Sequence, residues 1–300
     1  MEEISWKKIE NKISAGQAHL LTTKILKDFP YENTGNEFKI PPWSNILQLS
    51  NVISILVFYL FFRYWSIKVK RHLWKEIVGF RQYRLQNLTV SLIHSVISAA
   101  CALHFAYFYT EAMFEQPMHW YQHWATYGLL FSLGYFFHDM QDVLQNENSF
   151  ITIKFTLLHH LSSSFAFVTA ITSRKFVPFA YCALIMETNS IFLHIRALMT
   201  LSKSSSKHYI FYKFNQVINV ITFVGCRFGI QAWQIYWVYK HHNSMHLFFA
   251  LFGYIGGIVF YIINGILFLR IIAVDGMLGN FGYKHVHKYR EDNDSAEKST

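Results

Sequence analysis

Two adjacent histidines, His159 and His160, lie inside an apolar run of membrane length at residues 150–172. Ionisable side chains at such depth usually face a bundle interior, a cavity or a partner. An imidazole loses and regains a proton near neutral pH, so the pair predicts a general base or a nucleophile that handles acyl groups. Because adjacent helical residues point about 100° apart, one ring can line a cavity while the other anchors it. The alternative is a hydrogen-bonded pair that fixes helix packing.

Further polar side chains lie in the neighbouring apolar runs, at spacings that place several of them on shared helix faces. Asp139 joins the histidines as a candidate catalytic group. The candidates for lining the same lipid-handling pocket are His94, Asp142, Glu187, Ser190, His194 and Arg227. For Asp139 and Asp142, orienting the histidines and pairing with basic groups near the headgroups are equal alternatives. Glu187 and Arg227 are as well explained by a structural charge pair between helices.

Metal chemistry is the competing interpretation of the histidines. His119 with His123, and His242 with His246, have the four-residue spacing that places two imidazoles on one helix face. Both pairs lie at the predicted outer ends of spans among Trp and Tyr, where residues of the interfacial belt are the better interpretation. The H-x-x-H-H cluster of membrane di-iron enzymes is absent from the sequence. We therefore predict no metal and no cofactor.

The elements that position these residues are membrane helices. Of the 300 residues, 52% are hydrophobic and 15% are charged, whereas about a quarter of a soluble domain is charged. A helix needs roughly 20 apolar residues to span the hydrocarbon. Runs of about this length occupy residues 46–62, 87–109, 124–145, 150–172, 176–200, 214–239 and 247–272. The sequence predicts an all-α polytopic membrane protein with about seven transmembrane helices.

The distribution of charge predicts the orientation of these helices. Much of the net charge of +9 lies in the loop from Arg63 to Arg84, where seven Lys or Arg residues face Glu76 alone. Such a loop is typical of the cytoplasmic side and of contact with anionic headgroups, so no nucleic-acid partner is expected. The loop at 110–123 carries Glu111 and Glu115 but no Lys or Arg. We therefore predict an outside N-terminus and a cytoplasmic C-terminus.

The predicted domain order is simple. Residues 1–45 form an extramembrane tail, 46–86 the first span with its basic loop, 87–273 one membrane domain, and 274–300 a disordered cytoplasmic tail. Gly253 and Gly257 in the last span form a Gly-x-x-x-Gly pair, which allows another helix to approach closely. Packing within the same chain is the favoured interpretation. A homodimer through the last helix is the alternative.

Four segments together resemble a known family. They are GYFFHDMQDVL (134–144), LLHHLSSSFAF (157–167), LIMETNSIFLHIRALM (184–199) and CRFGIQAW (226–233). Their order and spacing resemble the TLC domain, the six-helix membrane domain of ceramide synthases and their relatives, over residues 87–272. The opening RLQNLTVSLIHSVIS (84–98) is most similar to the small TLC-domain proteins linked to membrane fluidity. The resemblance implies six helices around a central cavity, with the first span as an additional helix.

The resemblance also implies roles for individual residues. His159 and His160 match the dihistidine that is catalytic in ceramide synthases, Asp139 matches the acidic position of the preceding helix, and Arg227 matches the arginine of the next-to-last helix. Where ceramide synthases continue with H-D-x-x-D, the matching stretch here is Met186-Glu187-Thr188-Asn189-Ser190. Only the first of the two carboxylates is kept, as Glu187.

This departure separates the functional hypotheses. The first is a TLC-domain protein that regulates phospholipid acyl composition and membrane fluidity, with membrane lipids as partners, by binding lipid or by acting on it. Whether it is an enzyme is left open. The alternative is an acyl-CoA-dependent acyltransferase of the ceramide-synthase type, and a weaker one is a lipid or cargo trafficking protein. The tail lacks a dilysine retrieval pattern, so the plasma membrane is expected rather than the endoplasmic reticulum.

Overall fold

The computed structural model describes residues 43–115 and 117–276. Within these residues the chain is helical and contains no strand, which confirms the predicted all-α class. Most of the two predicted tails, 1–45 and 274–300, lies outside the described residues.

Helices cover all seven apolar runs. They are α1 (Leu49–Lys68), α2 (Gly79–Phe108), α3 (Thr110–Phe114), α4 (Thr126–Asn146), α5 (Phe150–Ser173), α6 (Val177–Ile185), α7 (Glu187–Leu201), α8 (Tyr209–Thr222), α9 (Ile230–His241) and α10 (Leu247–Val274). Two of the runs are interrupted. The fifth run is divided into α6 and α7 at Met186, and the sixth contains a π-helical turn, Phe223–Gly229, between α8 and α9.

Three helical segments are long and apolar enough to cross a membrane by length and composition. They are Leu49–Leu73, which is α1 with the π-helical turn that follows it, Gly79–Phe108 and Leu247–Val274. In the other runs, interruptions shorten the helices and polar residues lower their mean hydropathy. The protein is therefore a membrane protein, while seven crossings remain a prediction.

The apolar core joins α2, α4, α5 and α6. Phe105, Leu129, Ile171 and Cys182, one from each of these helices, have at most a few per cent of their surface exposed. The additional helix α1 packs against α4 at Gly134. A Cβ atom there would lie 2.6 Å from Cβ of Phe58, so the close approach of the two helices requires glycine.

Hydrogen bonds and ion pairs connect the helix ends that the predicted topology places on the cytoplasmic side. Arg84, near the start of α2, donates a hydrogen bond of 2.9 Å to Glu147, just after α4. Arg196 of α7 forms an ion pair with Asp275, the residue that follows α10. Arg81 of α2 donates a hydrogen bond of 2.8 Å to the carbonyl of Leu201 at the end of α7 and links the two pairs. These four helix ends therefore meet at one end of the bundle, as alternating antiparallel helices require.

The glycine pair of the last helix faces its own chain. A Cβ atom at Gly253 would come within 2.9 Å of Val238 Cγ2, and one at Gly257 within 2.8 Å of Ile235 Cγ1. Both neighbours belong to α9. The spacing thus serves packing between α9 and α10, which is the favoured of the two predicted roles, and the homodimer remains an untested alternative.

Candidate functional site

The buried contact between His160 and Asp139 forms the centre of the candidate site. Nε2 of His160 on α5 lies 2.8 Å from Oδ2 of Asp139 on α4, and both side chains are buried. The imidazole stacks on Phe136 with ring centres 4.6 Å apart. The second carboxylate oxygen of Asp139 accepts a hydrogen bond of 2.7 Å from Nδ2 of Asn87. The imidazole of His160 is thus fixed in position and orientation by Asp139 and Phe136.

Asn87 links the two predicted carboxylates. Besides Asp139, its Nδ2 donates to Oδ2 of Asp142 at 3.1 Å, while Asn146 donates to the other oxygen of Asp142 at 3.3 Å. A continuous chain of polar contacts therefore connects His160 to Asp142. The sequence analysis missed Asn87 as a site residue, although a buried amide in an apolar helix was the available signal.

His159 differs from its neighbour in burial and in contacts. It is half-buried, and its ring lies edge-on to Phe260 of α10 at 5.6 Å between ring centres. The planes of the two imidazoles are inclined at 57°. His159 is thus placed between α5 and α10, while His160 points towards α4. The contact with Asp139 anchors His160, whereas the role of His159 in lining a cavity remains a prediction.

Unused hydrogen-bonding capacity remains beside the pair. Nδ1 of His160 and Oγ of Ser164, one helical turn further along α5, are buried and have no hydrogen-bond partner among the described residues. Buried polar groups normally find a hydrogen-bond partner, and an exception marks a position where a bound molecule can supply one. The site therefore has an acceptor and a hydroxyl available for a bound molecule.

His94 has a different environment from the pair. Its Nε2 lies 3.0 Å from Oγ of Ser98 and 3.2 Å from Oγ of Ser132, and its ring stacks on Tyr135 at 3.9 Å. Tyr135 in turn donates to Ser91 at 2.8 Å. With 1% of its surface exposed, His94 is held in a satisfied polar network between α2 and α4.

Glu187 joins this network. Ser95 donates a hydrogen bond of 2.7 Å to Oε2 of Glu187, and the same oxygen lies 3.9 Å from Nδ1 of His94. The carboxylate is therefore engaged with α2. The predicted charge pair with Arg227 is not the contact that it makes in this structure.

Arg227 instead donates to three neutral side chains. Nε contacts Oδ1 of Asn189 at 2.7 Å, Nη2 contacts Oγ of Ser190 at 2.8 Å, and Nη1 contacts Oδ1 of Asn264 at 3.0 Å. These partners belong to α7 and α10, and Arg227 itself lies in the π-helical turn. Such turns widen a helix locally and often occur at functional sites. Arg227 thus holds α7, α10 and the turn together through buried polar contacts.

The predicted pocket residues are only partly brought together. Asp139, Asp142, His160 and Asn87 form one network, and His94 with Glu187 forms a second. His194 is half-buried on α7. A cavity of about 630 Å³ includes Asp142 in its lining but none of the histidines, so a central cavity beside the histidine pair remains a prediction.

The histidines with metal-like spacing occupy helix ends. Nδ1 of His246 accepts a hydrogen bond from the backbone of Phe248 at 3.1 Å and caps α10, and Nδ1 of His242 lies 2.6 Å from the carbonyl of Tyr239. Within residues 43–115 and 117–276, no group of three or more His, Cys, Asp or Glu side chains is placed to hold a metal ion.

The comparison with known proteins identifies the family. The family model for the TLC domain matches residues 84–273, and the chain belongs to the TLC domain family. The match begins at Arg84, in the second turn of α2, and ends just before Val274, the last residue of α10, so it leaves α1 outside the domain. No solved structure matches the chain.

Individual relatives agree with this assignment. TLC domain-containing protein 2 of Homo sapiens is 31% identical over 189 residues, which cover 63% of this chain and 70% of that protein. The protein of the same name from Danio rerio is 26% identical over 195 residues, covering 65% of this chain and 78% of the relative. TLC domain-containing protein 1 of Homo sapiens is 29% identical over 176 residues, covering 58% and 68% respectively.

Proposed function

We propose that the protein regulates the acyl composition of membrane phospholipids, and with it membrane fluidity, through a lipid-handling site at the His160–Asp139 pair. Membership of the TLC domain family supports a lipid-related role in a membrane. The observation that carries the proposal is the buried contact of 2.8 Å between His160 and Asp139 beside a half-buried His159. The plasma membrane is the proposed location.

The geometry assigns different tasks to the two nitrogens of His160. A carboxylate at Nε2 favours the tautomer in which Nε2 carries the proton and donates it to Asp139. Nδ1 then presents a lone pair, and this is the atom without a partner among the described residues. It can accept a hydrogen bond from a lipid hydroxyl or amine, or take the proton when that group reacts.

The second candidate is acyl transfer of the ceramide-synthase type. The oriented imidazole with a free Nδ1 is what a general base requires, and this observation favours it. Against it, Ser190 stands where the second carboxylate of that pattern would be, and its hydroxyl accepts a hydrogen bond from Arg227. Phospholipids rather than ceramides are therefore the proposed class of lipid.

Complementation of knockout cells tests the proposal. Cells that lack the protein are given the wild type, the double variant His159→Ala with His160→Ala, or His104→Ala. His104 is an exposed histidine of α2 and serves as the matched control. We expect the wild type and the control to restore the phospholipid acyl profile, while the double variant is expressed and localised but fails.

A second variant separates loss of chemistry from loss of structure. His160→Gln keeps a side-chain donor for Asp139 but removes the imidazole, so it should fold and still fail to restore the profile. If the double variant and His160→Gln both restore the phospholipid acyl profile fully at matched expression, the site is refuted. A selective loss of ceramides in the knockout would favour the acyltransferase instead.

A further inference from the structure

A cavity of about 630 Å³, with no histidine in its lining, lies where the end of α1, the start of α2 and the end of α4 meet. This is the end of the bundle that the charge distribution predicts to be cytoplasmic. The cavity is open to the surroundings, and Ile67 is an apolar residue in its lining. The apolar run of α1 ends at Phe62 and the basic loop begins at Arg63, so the cavity lies at the level that the sequence predicts for the lipid headgroups.

Four cations form the rim of this cavity. Arg63, Lys70, Arg71 and Lys75 line it and are exposed. Among the residues that the structure describes, none of the four lies within salt-bridge distance of a carboxylate. Asp142 supplies the acidic group of the lining. Positive charge therefore predominates, with four cations against the single carboxylate of Asp142 in the lining.

The floor of the cavity is polar and buried. Tyr83 has 9% of its surface exposed, and its buried hydroxyl has no hydrogen-bond partner among the described residues. Beside it, Gln86 donates to Ser66 across the junction of α1 and α2. The hydroxyl of Tyr83 is a second observation, independent of the excess of positive charge. A buried phenol without a hydrogen-bond partner indicates a ligand that carries acceptor oxygens.

We propose that this cavity binds the phosphorylated headgroup of an anionic membrane lipid. Guanidinium groups contact phosphate oxygens through paired hydrogen bonds, ammonium groups act as point charges, and the phenol contributes a further donor. The open side lets a lipid enter from the cytoplasmic leaflet, where basic clusters beside membrane helices attract anionic lipids. This site is separate from the pair of His160 and Asp139, and its assignment does not depend on the proposed function.

The cavity also lies next to the polar chain described above. Asp142 lines the cavity and reaches Asp139 through Asn87, at 3.1 Å and 2.7 Å respectively. An anion bound among the rim cations thus lies within a few polar contacts of His160.

Binding to the purified full-length chain in detergent tests the site. The probes are short-chain phosphatidylinositol bisphosphate, phosphatidylcholine of the same chain length, soluble inositol trisphosphate and palmitoyl-coenzyme A. The variants are Lys70→Gln with Arg71→Gln, and Tyr83→Phe, which removes only the hydroxyl. The matched control is Lys207→Gln with Lys213→Gln. It removes two exposed charges, one between α7 and α8 and one in the first turns of α8.

We expect the bisphosphate lipid to bind more tightly than phosphatidylcholine, and the soluble headgroup to bind at the same site with lower affinity. The rim variant should weaken lipid binding on the order of tenfold or more, whereas the control should change it little. Tyr83→Phe should weaken binding severalfold without lowering the melting temperature. Equal binding of both lipids, or equal affinity of the rim variant and the control, would overturn the site. Binding of palmitoyl-coenzyme A in place of the lipid would overturn the lipid assignment.

Discussion

Nε2 of His160 lies 2.8 Å from Oδ2 of Asp139, whereas His159, the preceding residue, contacts Phe260 through its ring. The two histidine side chains therefore make different structural contacts. His160 satisfies a buried carboxylate, and His159 satisfies none. This asymmetry allows the two histidines to be tested separately, since only His160 forms a hydrogen bond with a buried carboxylate.

Single substitutions should separate stability from function. His160→Ala removes one hydrogen bond of buried Asp139 and should lower the free energy of unfolding by about 1–3 kcal/mol. His159→Ala leaves no buried group unsatisfied and should cost less than about 1 kcal/mol. Thermal unfolding in detergent measures both changes. Equal destabilisation by the two substitutions would contradict the asymmetry, and loss of the lipid phenotype in His159→Ala alone would assign the lipid contact to that ring.

The sequence predicted the helices well because apolar runs of membrane length leave few alternatives. The break at Met186 was not predicted, since no proline or glycine marks it. The π-helical turn at Phe223–Gly229 contains two glycines, but glycine alone does not specify a turn of that kind. Both irregularities depend on contacts between helices, which a single run of residues does not encode.

The same limit applies to the site. Asp139 was selected because ionisable groups are rare in membrane helices, but orienting the histidines and pairing with basic groups near the headgroups were equal alternatives for it. The structure places it against His160. The amides Asn87, Asn189 and Asn264 were missed, although each makes a hydrogen bond that the site or Arg227 needs. Their partners lie on other helices, so helix rotation and depth decide the pairing.

Arg227→Lys should be strongly destabilising although it keeps the charge. The guanidinium serves three acceptors on Asn189, Ser190 and Asn264, and a compact ammonium group does not reach all three. Leaving buried acceptors unsatisfied should cost roughly 2–4 kcal/mol, measured by chemical or thermal unfolding. Lys213→Arg, at an exposed position, is the control and should change stability by about 0.5 kcal/mol or less. A tolerated Arg227→Lys would argue against the triple contact.

Gly134→Ala should loosen α1 from the TLC domain. The added methyl group would lie 2.6 Å from Cβ of Phe58 and 2.8 Å from the backbone nitrogen of Tyr59, so the helix rather than a flexible side chain must move. We expect a loss of about 1–3 kcal/mol. Gly256→Ala is the control, because nothing lies within 4 Å of its added Cβ. Increased protease sensitivity of α1 in Gly134→Ala alone would confirm the close approach.

Lys175, in the loop between α5 and α6, should make stability depend on pH. Burial lowers the pKa of its ammonium group to about 7, from an ordinary value of 10.5. Between these two values the unfolded chain holds a proton that the folded chain releases, so stability rises with pH across that interval. Lys175→Met removes the free-energy cost of burying a group that is protonated in the unfolded chain. The gain in melting temperature should therefore be larger at pH 6.5 than at pH 9.5, and an equal gain at both would contradict the buried lysine.

The predicted orientation in the membrane rests on the basic loop between Arg63 and Arg84 and is testable without a structure. Ser206→Cys, between α7 and α8, should react with a membrane-impermeant maleimide only after permeabilisation. Thr110→Cys, at the opposite end of α2, should react in intact cells that display the protein on their surface. The wild-type chain gives the background from Cys101, Cys182 and Cys226. Epitope tags at the two termini provide an independent readout, with the N-terminal tag accessible and the C-terminal tag protected. The reverse labelling pattern would invert the topology and place the cavity rimmed by Lys70 and Arg71 on the outer face, where anionic lipid is scarce.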